Sequence, residues 1–266
     1  GADPRVCGVL MRIFFFSNVS FEDWDWRNSV ETGIGGSETS HVEMAWRLAR
    51  RGHEVVSYAP VPPDCPGLWR GTVWRRFEEA DFSQAGLWVL YRCPDVVDRF
   101  SPRRDDQFVW FMMQDWVYRF TTEQADRIDR LLTLSNAHCR WFLRQGIHAE
   151  QFEKKMLVTA NGVKTDLIAE VESGEVPVRD LRKVVYLSSP DRGLESTIWI
   201  IRRVQEYVPD VSLHVYYGFN NLDKLTTGSR HIRARADRLK RLLEAPGVVF
   251  HGRVSQRQLY QELLTA

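Results

Sequence analysis

Three glycines stand close together just ahead of a predicted helix, in the segment Gly33–Glu38. Backbone N–H groups at such a turn can approach a ligand closely, and a helix N-terminus carries about half a positive charge. The apolar spacing that follows predicts the helix over 37–51, with Ser37 as its cap. The turn is therefore a candidate site for a phosphate or a sugar oxygen. The alternative is that the glycines only satisfy the backbone conformation of a turn.

The position of this turn argues against a simple dinucleotide-binding motif. A buried strand is predicted at 12–18, and residues 19–32 separate it from the first glycine. In the dinucleotide-binding motif the glycines follow the strand directly, with the spacing Gly-x-Gly-x-x-Gly. Here the spacing is Gly-x-Gly-Gly, so we do not predict an NAD-binding site.

Composition narrows the class of protein. The chain has 266 residues, is 44% hydrophobic and carries a formal net charge of +1, which favours neither nucleic acid nor a membrane as a partner. It contains no apolar run near the ~18 residues that a membrane span needs. The four cysteines are far apart and no histidines stand at ligand spacing, so we predict no metal, no cofactor and a cytoplasmic location. These cysteines are Cys7, Cys65, Cys93 and Cys139.

Strands alternate with helices along the chain, and the pattern restarts once. This predicts two doubly wound α/β domains. The first domain is expected at 11–169 and the second at 182–266, with the acidic, polar segment 170–181 as the linker. Residues 1–10 lack the features of a signal peptide and are predicted to be an expression remnant or a start-site extension. The second domain shows about three βα units, half of a usual doubly wound domain, so we expect it to be incomplete.

Five motifs in order across both domains resemble those of the GT-B glycosyltransferases, most closely the retaining enzymes of family 4. They are the glycine turn with its helix in 33–55, Asn161–Val163, Ser188–Leu194, Val215–Gly218 and Phe250–Val254. The resemblance implies two Rossmann-like domains and transfer of a sugar from a nucleotide-sugar donor to an acceptor, with retention and without a metal. The resemblance does not distinguish among a glycan, a lipid and a small molecule as the acceptor.

The resemblance also implies which residues hold the donor. Arg192 would meet the negative charge that builds on the leaving phosphates, because a guanidinium can bind phosphate oxygens bidentately and a helix begins beside it. The alternative is that Arg192 is only a solvent-exposed arginine at the start of a helix. The other donor-binding residues implied are Gly35, Gly36, Ser37, Gln114, Asn161, Gly193, Gly218, His251 and Gly252.

The residues after one buried strand depart from the family pattern. Relatives often carry a histidine that touches the donor sugar, where this chain has Gln114. Asp115 is then the nearby carboxylate, and it is either a catalytic residue or a cap for the next segment.

Two further departures concern the second domain. The family usually has a basic residue shortly before the one that Arg192 matches, and here that stretch contains Ser188 and Ser189. The family's paired glutamates would follow the last residue of this chain, so we expect a truncated form with reduced or no transferase activity. Two alternatives stay open: a non-catalytic nucleotide- or carbohydrate-binding module, and a nucleotide-sugar epimerase.

A predicted helix at 230–241 is strongly basic. One interpretation is a patch for anionic lipid or nucleic acid, which would place the protein peripherally at the inner face of a membrane. The other is the solvated face of an amphipathic helix, which we favour. Its cations are Arg230, Arg233, Arg235, Arg238, Lys240 and Arg241.

Overall fold

The computed structural model describes residues 9–19, 22–113, 118–145, 148–174, 178–226 and 228–266. These residues form two compact units. The first unit runs to Trp26 and continues through Ile34–Gly162, and the second combines Arg27–Gly33 with Val163–Ala266. The predicted domain bounds differ from these units in assigning 27–33 and 163–169 to the first domain.

The described part of the first unit is built on an eight-stranded sheet in the order β3-β4-β2-β1-β5-β6-β7-β8, parallel except for β3. Its strands are β1 (Arg12–Phe16), β2 (Glu54–Ala59), β3 (Leu68–Trp69), β4 (Thr72–Arg76), β5 (Gly86–Tyr91), β6 (Gln107–Met112), β7 (Arg130–Thr133) and β8 (Met156–Val158). The helices of this unit are α2 (Gly36–Arg50), α3 (Thr122–Arg127), α4 (Asn136–Arg144) and α5 (Ala149–Glu153), with 3₁₀ turns at Phe77–Glu79 and Pro94–Arg99.

Strand β1 shows why this sheet is buried on both faces. Phe14 and Phe16 pack into one apolar cluster, while Ile13 and Phe15 pack into another. Successive side chains of a strand point to opposite faces, so a continuous apolar run needs a cover on each side.

In the second unit, the described residues form a parallel sheet of three strands in the order β11-β10-β9. The strands are β9 (Lys183–Tyr186), β10 (Ser212–Val215) and β11 (Val248–Phe250), and the helices are α6 (Thr165–Glu172), α7 (Leu194–Gln205), α8 (Asn220–Thr226), α9 (Arg230–Leu242) and α10 (Gln256–Leu264). Short helix α1 (Trp26–Glu31) lies almost wholly in this unit. The predicted α/β class with two parallel sheets is confirmed.

Candidate functional site

A tight turn after β9 positions the arginine that the sequence singles out. The carbonyl of Ser189 accepts hydrogen bonds from the backbone N–H of Arg192, at 2.9 Å, and from the hydroxyl of Tyr186, at 2.8 Å. The hydroxyl of Ser189 also donates to the carboxylate of Asp191. Burial, and then the charge of Asp191, raises the pKa of Tyr186, so this phenol stays a donor. Arg192 is therefore an exposed side chain on a fixed turn.

Helix α7 begins immediately after this turn. Gly193 is its N-cap with φ 107°, in the left-handed region that favours glycine, and it makes no side-chain cap bond. The cap therefore offers no side-chain acceptor to the first amides of the helix, and the backbone N–H of Leu194 is directed at the hydroxyl oxygen of Tyr186. Glu195, the carboxylate in the first turn, forms an ion pair with Arg238 of α9.

Helix α9 also contacts the turn itself. Nη2 of Arg235 donates to the backbone carbonyl of Asp191 at 3.0 Å. The sequence analysis treated Arg235 as one cation of a basic helix, and nothing in its spacing relative to Arg192 signalled this contact.

The loops after β10 and β11 pack together. A methyl group on Gly218 would lie 3.8 Å from Cβ of Arg253, and the guanidinium carbon of Arg253 lies 5.9 Å from the ring centre of Tyr217. The backbone N–H of His251 donates to the carbonyl of Val215 at 3.0 Å, so both loops leave the same edge of the sheet. Gly218, His251 and Gly252 therefore lie in one pair of neighbouring loops. Arg253 was not among the predicted site residues, although it stands within one of the five motifs.

The ring of His251 is held by aromatic and polar neighbours on the sheet. It stacks on Tyr216 at 4.2 Å between ring centres, and its Nε2 lies 2.9 Å from Nδ1 of His214. Burial, and then the charge of Lys183, lowers the pKa of His214. In the contact between the two rings, one of these nitrogens, Nδ1 of His214 or Nε2 of His251, donates a hydrogen bond and the other accepts it. This supports a structural role for the ring of His251, the alternative to a ligand contact.

Glu262 of α10 connects this stack to the start of β9. Its Oε2 accepts from the hydroxyl of Tyr216, at 2.8 Å, and from Nζ of Lys183, at 2.6 Å. The hydrogen bond from Lys183 lowers the pKa of Glu262, and burial raises that of Tyr216. The ionised carboxylate of Glu262 therefore connects α10 to Tyr216 and to Lys183 of β9.

The glycine turn, which runs from Gly33 of the second unit into the first unit, differs from its prediction in one respect. Helix α2 begins at Gly36 and its N-cap is Gly35, with φ −60° and ψ 160° and no side-chain cap bond, so the prediction of Ser37 as the cap is wrong. The carboxylate of Glu38 lies over Gly35, since a Cβ there would be 2.1 Å from Oε2. Glu38 is also 3.7 Å from Arg92. An acidic group thus already complements this helix N-terminus.

The three glycines of the turn have different surroundings. Gly33 has φ 73°, and a Cβ on it would be 2.9 Å from the carbonyl oxygen of Val254, which belongs to the same unit. Gly36 is exposed, and a Cβ on it would have nothing within 4 Å. The left-handed backbone and the nearby carbonyl therefore require a glycine at position 33. Gly36, in contrast, leaves an open space at the start of α2.

Three predicted residues remain, namely Gln114, Asp115 and Asn161. Asn161 is exposed next to Gly162, the last residue of the first unit. Gln114 and Asp115 lie outside the described residues. Within the described ranges, no group of three His, Cys, Asp or Glu side chains could hold a metal ion. Nor is any helix in those ranges both long and apolar enough to cross a membrane.

The second unit is thus a Rossmann-like sheet whose carboxyl-edge loops carry arginines and glycines. No family model matches the chain, and no curated protein matches it. Among solved structures, it is similar to a substituted S. aureus TarM in complex with fondaparinux, alpha-GlcNAc-glycerol and UDP, at 14% identity and a TM-score of 0.40, over 62% of this chain and 32% of that one. A second crystal structure of TarM aligns at 16% identity and a TM-score of 0.40, over 65% and 34%. The chain therefore spans about a third of the length of these structures. At this identity and TM-score, the similarity assigns no function to the chain.

Proposed function

We propose that the protein is a glycosyltransferase that uses a nucleotide-sugar donor, and that its second unit binds the donor's diphosphate. One observation carries the proposal. The loops that follow the parallel strands β9, β10 and β11 leave a single sheet edge and present Arg192, Gly218 and Gly252 there. Ligands of open α/β sheets bind outside the carboxyl ends of the strands, often with phosphate at a helix N-terminus. The family resemblance of the motifs supports the same assignment.

The chemistry explains why an arginine belongs at this place. The bond between the sugar and the donor's diphosphate breaks, and a bond from the sugar to an acceptor oxygen forms. The bonding electron pair leaves with the diphosphate, and the acceptor's proton passes to a base or to solvent. Arg192 and the positive end of the α7 dipole would stabilise the charge that develops on the leaving group. In this proposal the reaction proceeds with retention and needs no metal.

The first unit has a candidate site of its own for a sugar or an acceptor. The open space at Gly36 suits a close approach of a sugar or an acceptor to the start of α2. The carboxylate of Glu38 over Gly35 makes a hydroxyl, rather than a phosphate, the group we expect there. Roles for Gln114, Asp115 and Asn161 at the donor sugar, and a membrane contact through 230–241, stay predictions.

Calorimetric titration of the protein with UDP, GDP and ADP tests the donor site. We expect one of the three to bind more tightly than the other two, and Arg192→Ala to weaken that binding about tenfold or more, as for a hydrogen bond to a charged group. Arg202→Ala is the matched control, because Arg202 is an exposed arginine in the last turn of the same helix. Absence of binding for all three nucleotides would contradict the proposal.

Release of nucleotide from the matching nucleotide-sugar then separates a transferase from a module that only binds. Turnover with a free sugar or nucleotide as product supports the enzyme. Tight binding without turnover would favour the binding module, and a change of sugar configuration with the donor intact would favour the epimerase.

A further inference from the structure

Arg235 contacts the turn that carries Arg192. Its guanidinium bonds to the Asp191 carbonyl at 3.0 Å, one residue before Arg192. A guanidinium has five N–H donors, and this bond uses one of them. The residue is exposed, so the remaining donors can meet a ligand at the turn.

Two of the cations that follow on α9 are already neutralised. Arg238 pairs with Glu195, and Lys240 pairs with Asp223. Arg235, in contrast, has no carboxylate partner among the residues that the structure describes. It therefore contributes a full positive charge next to the turn.

The charges of the turn show why that contribution matters. Asp191 and Arg192 are adjacent and their formal charges cancel, and the residues before them, Ser188 to Pro190, carry none. The turn alone therefore offers a diphosphate no net positive charge. With Arg235 in place the same group of side chains is positive, which attracts an anion with several negative charges.

We propose that Arg235 is the second cation of the diphosphate site, holding the Asp191–Arg192 turn through its carbonyl and binding a phosphate oxygen with its free donors. The inference rests on the proposed function, because it assigns a residue to the same donor site. It also places the basic helix α9 at that site, in place of a membrane or nucleic-acid contact.

Titration of the full chain with inorganic pyrophosphate, UDP and uridine tests the inference. We expect Arg235→Gln to weaken pyrophosphate and UDP about tenfold, because a charge-assisted hydrogen bond is lost. Uridine has no phosphate, so its affinity should not change. Equal weakening of uridine would instead mean that the substitution disturbs the unit as a whole.

Two further variants control the result. Arg241→Gln removes the same charge from an exposed position on the same helix, and we expect less than about a twofold effect. Arg235→Lys keeps the charge, so we expect it to bind pyrophosphate more tightly than Arg235→Gln does and to lose that advantage at high salt. If the lysine variant is as weak as the glutamine variant at low salt, or if Arg241→Gln is as weak as Arg235→Gln, the inference is overturned.

The outcome separates this inference from the proposed function. If the unchanged protein binds neither pyrophosphate nor any nucleotide, the proposed function fails and the inference fails with it. If binding is present and lost in Arg192→Ala but intact in Arg235→Gln, the donor site stands and Arg235 is not part of it.

Discussion

His41 shows how strongly burial can act on one side chain. It has no exposed surface, and its Nε2 lies 2.7 Å from the hydroxyl of Ser57. Burial lowers its pKa from the ordinary 6.5 to about 3. The ring is surrounded by the aromatic side chains of Phe15, Trp24, Trp74 and Tyr91.

This residue makes stability depend on pH in a predictable direction. Below pH 6.5 the unfolded chain takes up a proton at His41 that the folded chain does not. The stability that neutral His41 contributes is therefore fully present above pH 6.5 and is lost as the pH falls towards about 3. Between pH 7 and pH 5 we expect proton uptake at His41 in the unfolded chain to lower the free energy of unfolding by about 2 kcal/mol.

Urea unfolding of the protein and of His41→Gln across this pH range measures the effect. Glutamine does not titrate and can still contact Ser57, so the difference between the two slopes belongs to His41. Parallel slopes for the two proteins would mean that the histidine titrates normally in the folded state.

Single residues also show what sequence reasoning can reach. The place of Arg192 beside a helix start was predictable, because the glycine and the apolar spacing that mark this start lie within a few positions of it. Arg235 was not, because its contact with the turn depends on how α9 packs near α7. The cap of α2 was predicted at Ser37 because serine is a frequent cap, yet the extended backbone of Gly35 starts the helix one residue earlier.

At the scale of elements, two glycines of the turn have different requirements, Gly33 at the end of a segment of the second unit and Gly36 at the start of α2. Gly33 adopts a left-handed backbone against the Val254 carbonyl, whereas Gly36 is the first helical residue and is uncrowded. We expect Gly33→Ala to lower the free energy of unfolding by about 1–3 kcal/mol. Gly36→Ala should leave it unchanged or raise it by up to about 1 kcal/mol.

Chemical denaturation of the two single variants checks this contrast. Equal stability of Gly33→Ala and the unchanged protein would show that the turn can relax without cost. A loss of nucleotide-sugar binding in Gly36→Ala, at unchanged stability, would support a ligand close to the start of α2.

The apolar strands were predictable as elements, but a pair of short ones was not. Strands such as β1 and β6 are continuous apolar runs, and buried parallel strands have that composition. Strands β3 and β4 follow a segment with four prolines, and β4 contains two arginines. The two pair with each other, and β4 pairs with β2. Such non-local pairing leaves little trace in the local sequence.

At the scale of the whole molecule, the apolar residues form separate cores. Leu213 of β10 is fully buried in a cluster whose members all lie in the second unit. Leu90 of β5 is fully buried in a cluster of the first unit. Because each unit has its own core, we expect each to unfold with some independence.

Hydrogen exchange tests that independence. Leu213→Ala should destabilise its unit by about 2–5 kcal/mol and speed exchange in β9–β11, with little change in β1 and β5. Leu90→Ala is the matched variant and should do the reverse. Faster exchange throughout both units in either variant would mean that the chain unfolds as a single cooperative structure.

The bond between Arg235 and the Asp191 carbonyl also limits how this turn could be transplanted. Residues 188–193 on their own would not carry their geometry into another scaffold, because one of their anchors belongs to a helix more than 40 positions further along the chain. A recombinant that kept β9 and α7 but exchanged α9 would lose both the anchor and its charge. A transplant of the turn must therefore include α9 together with β9 and α7, so protein engineers should move these three elements together.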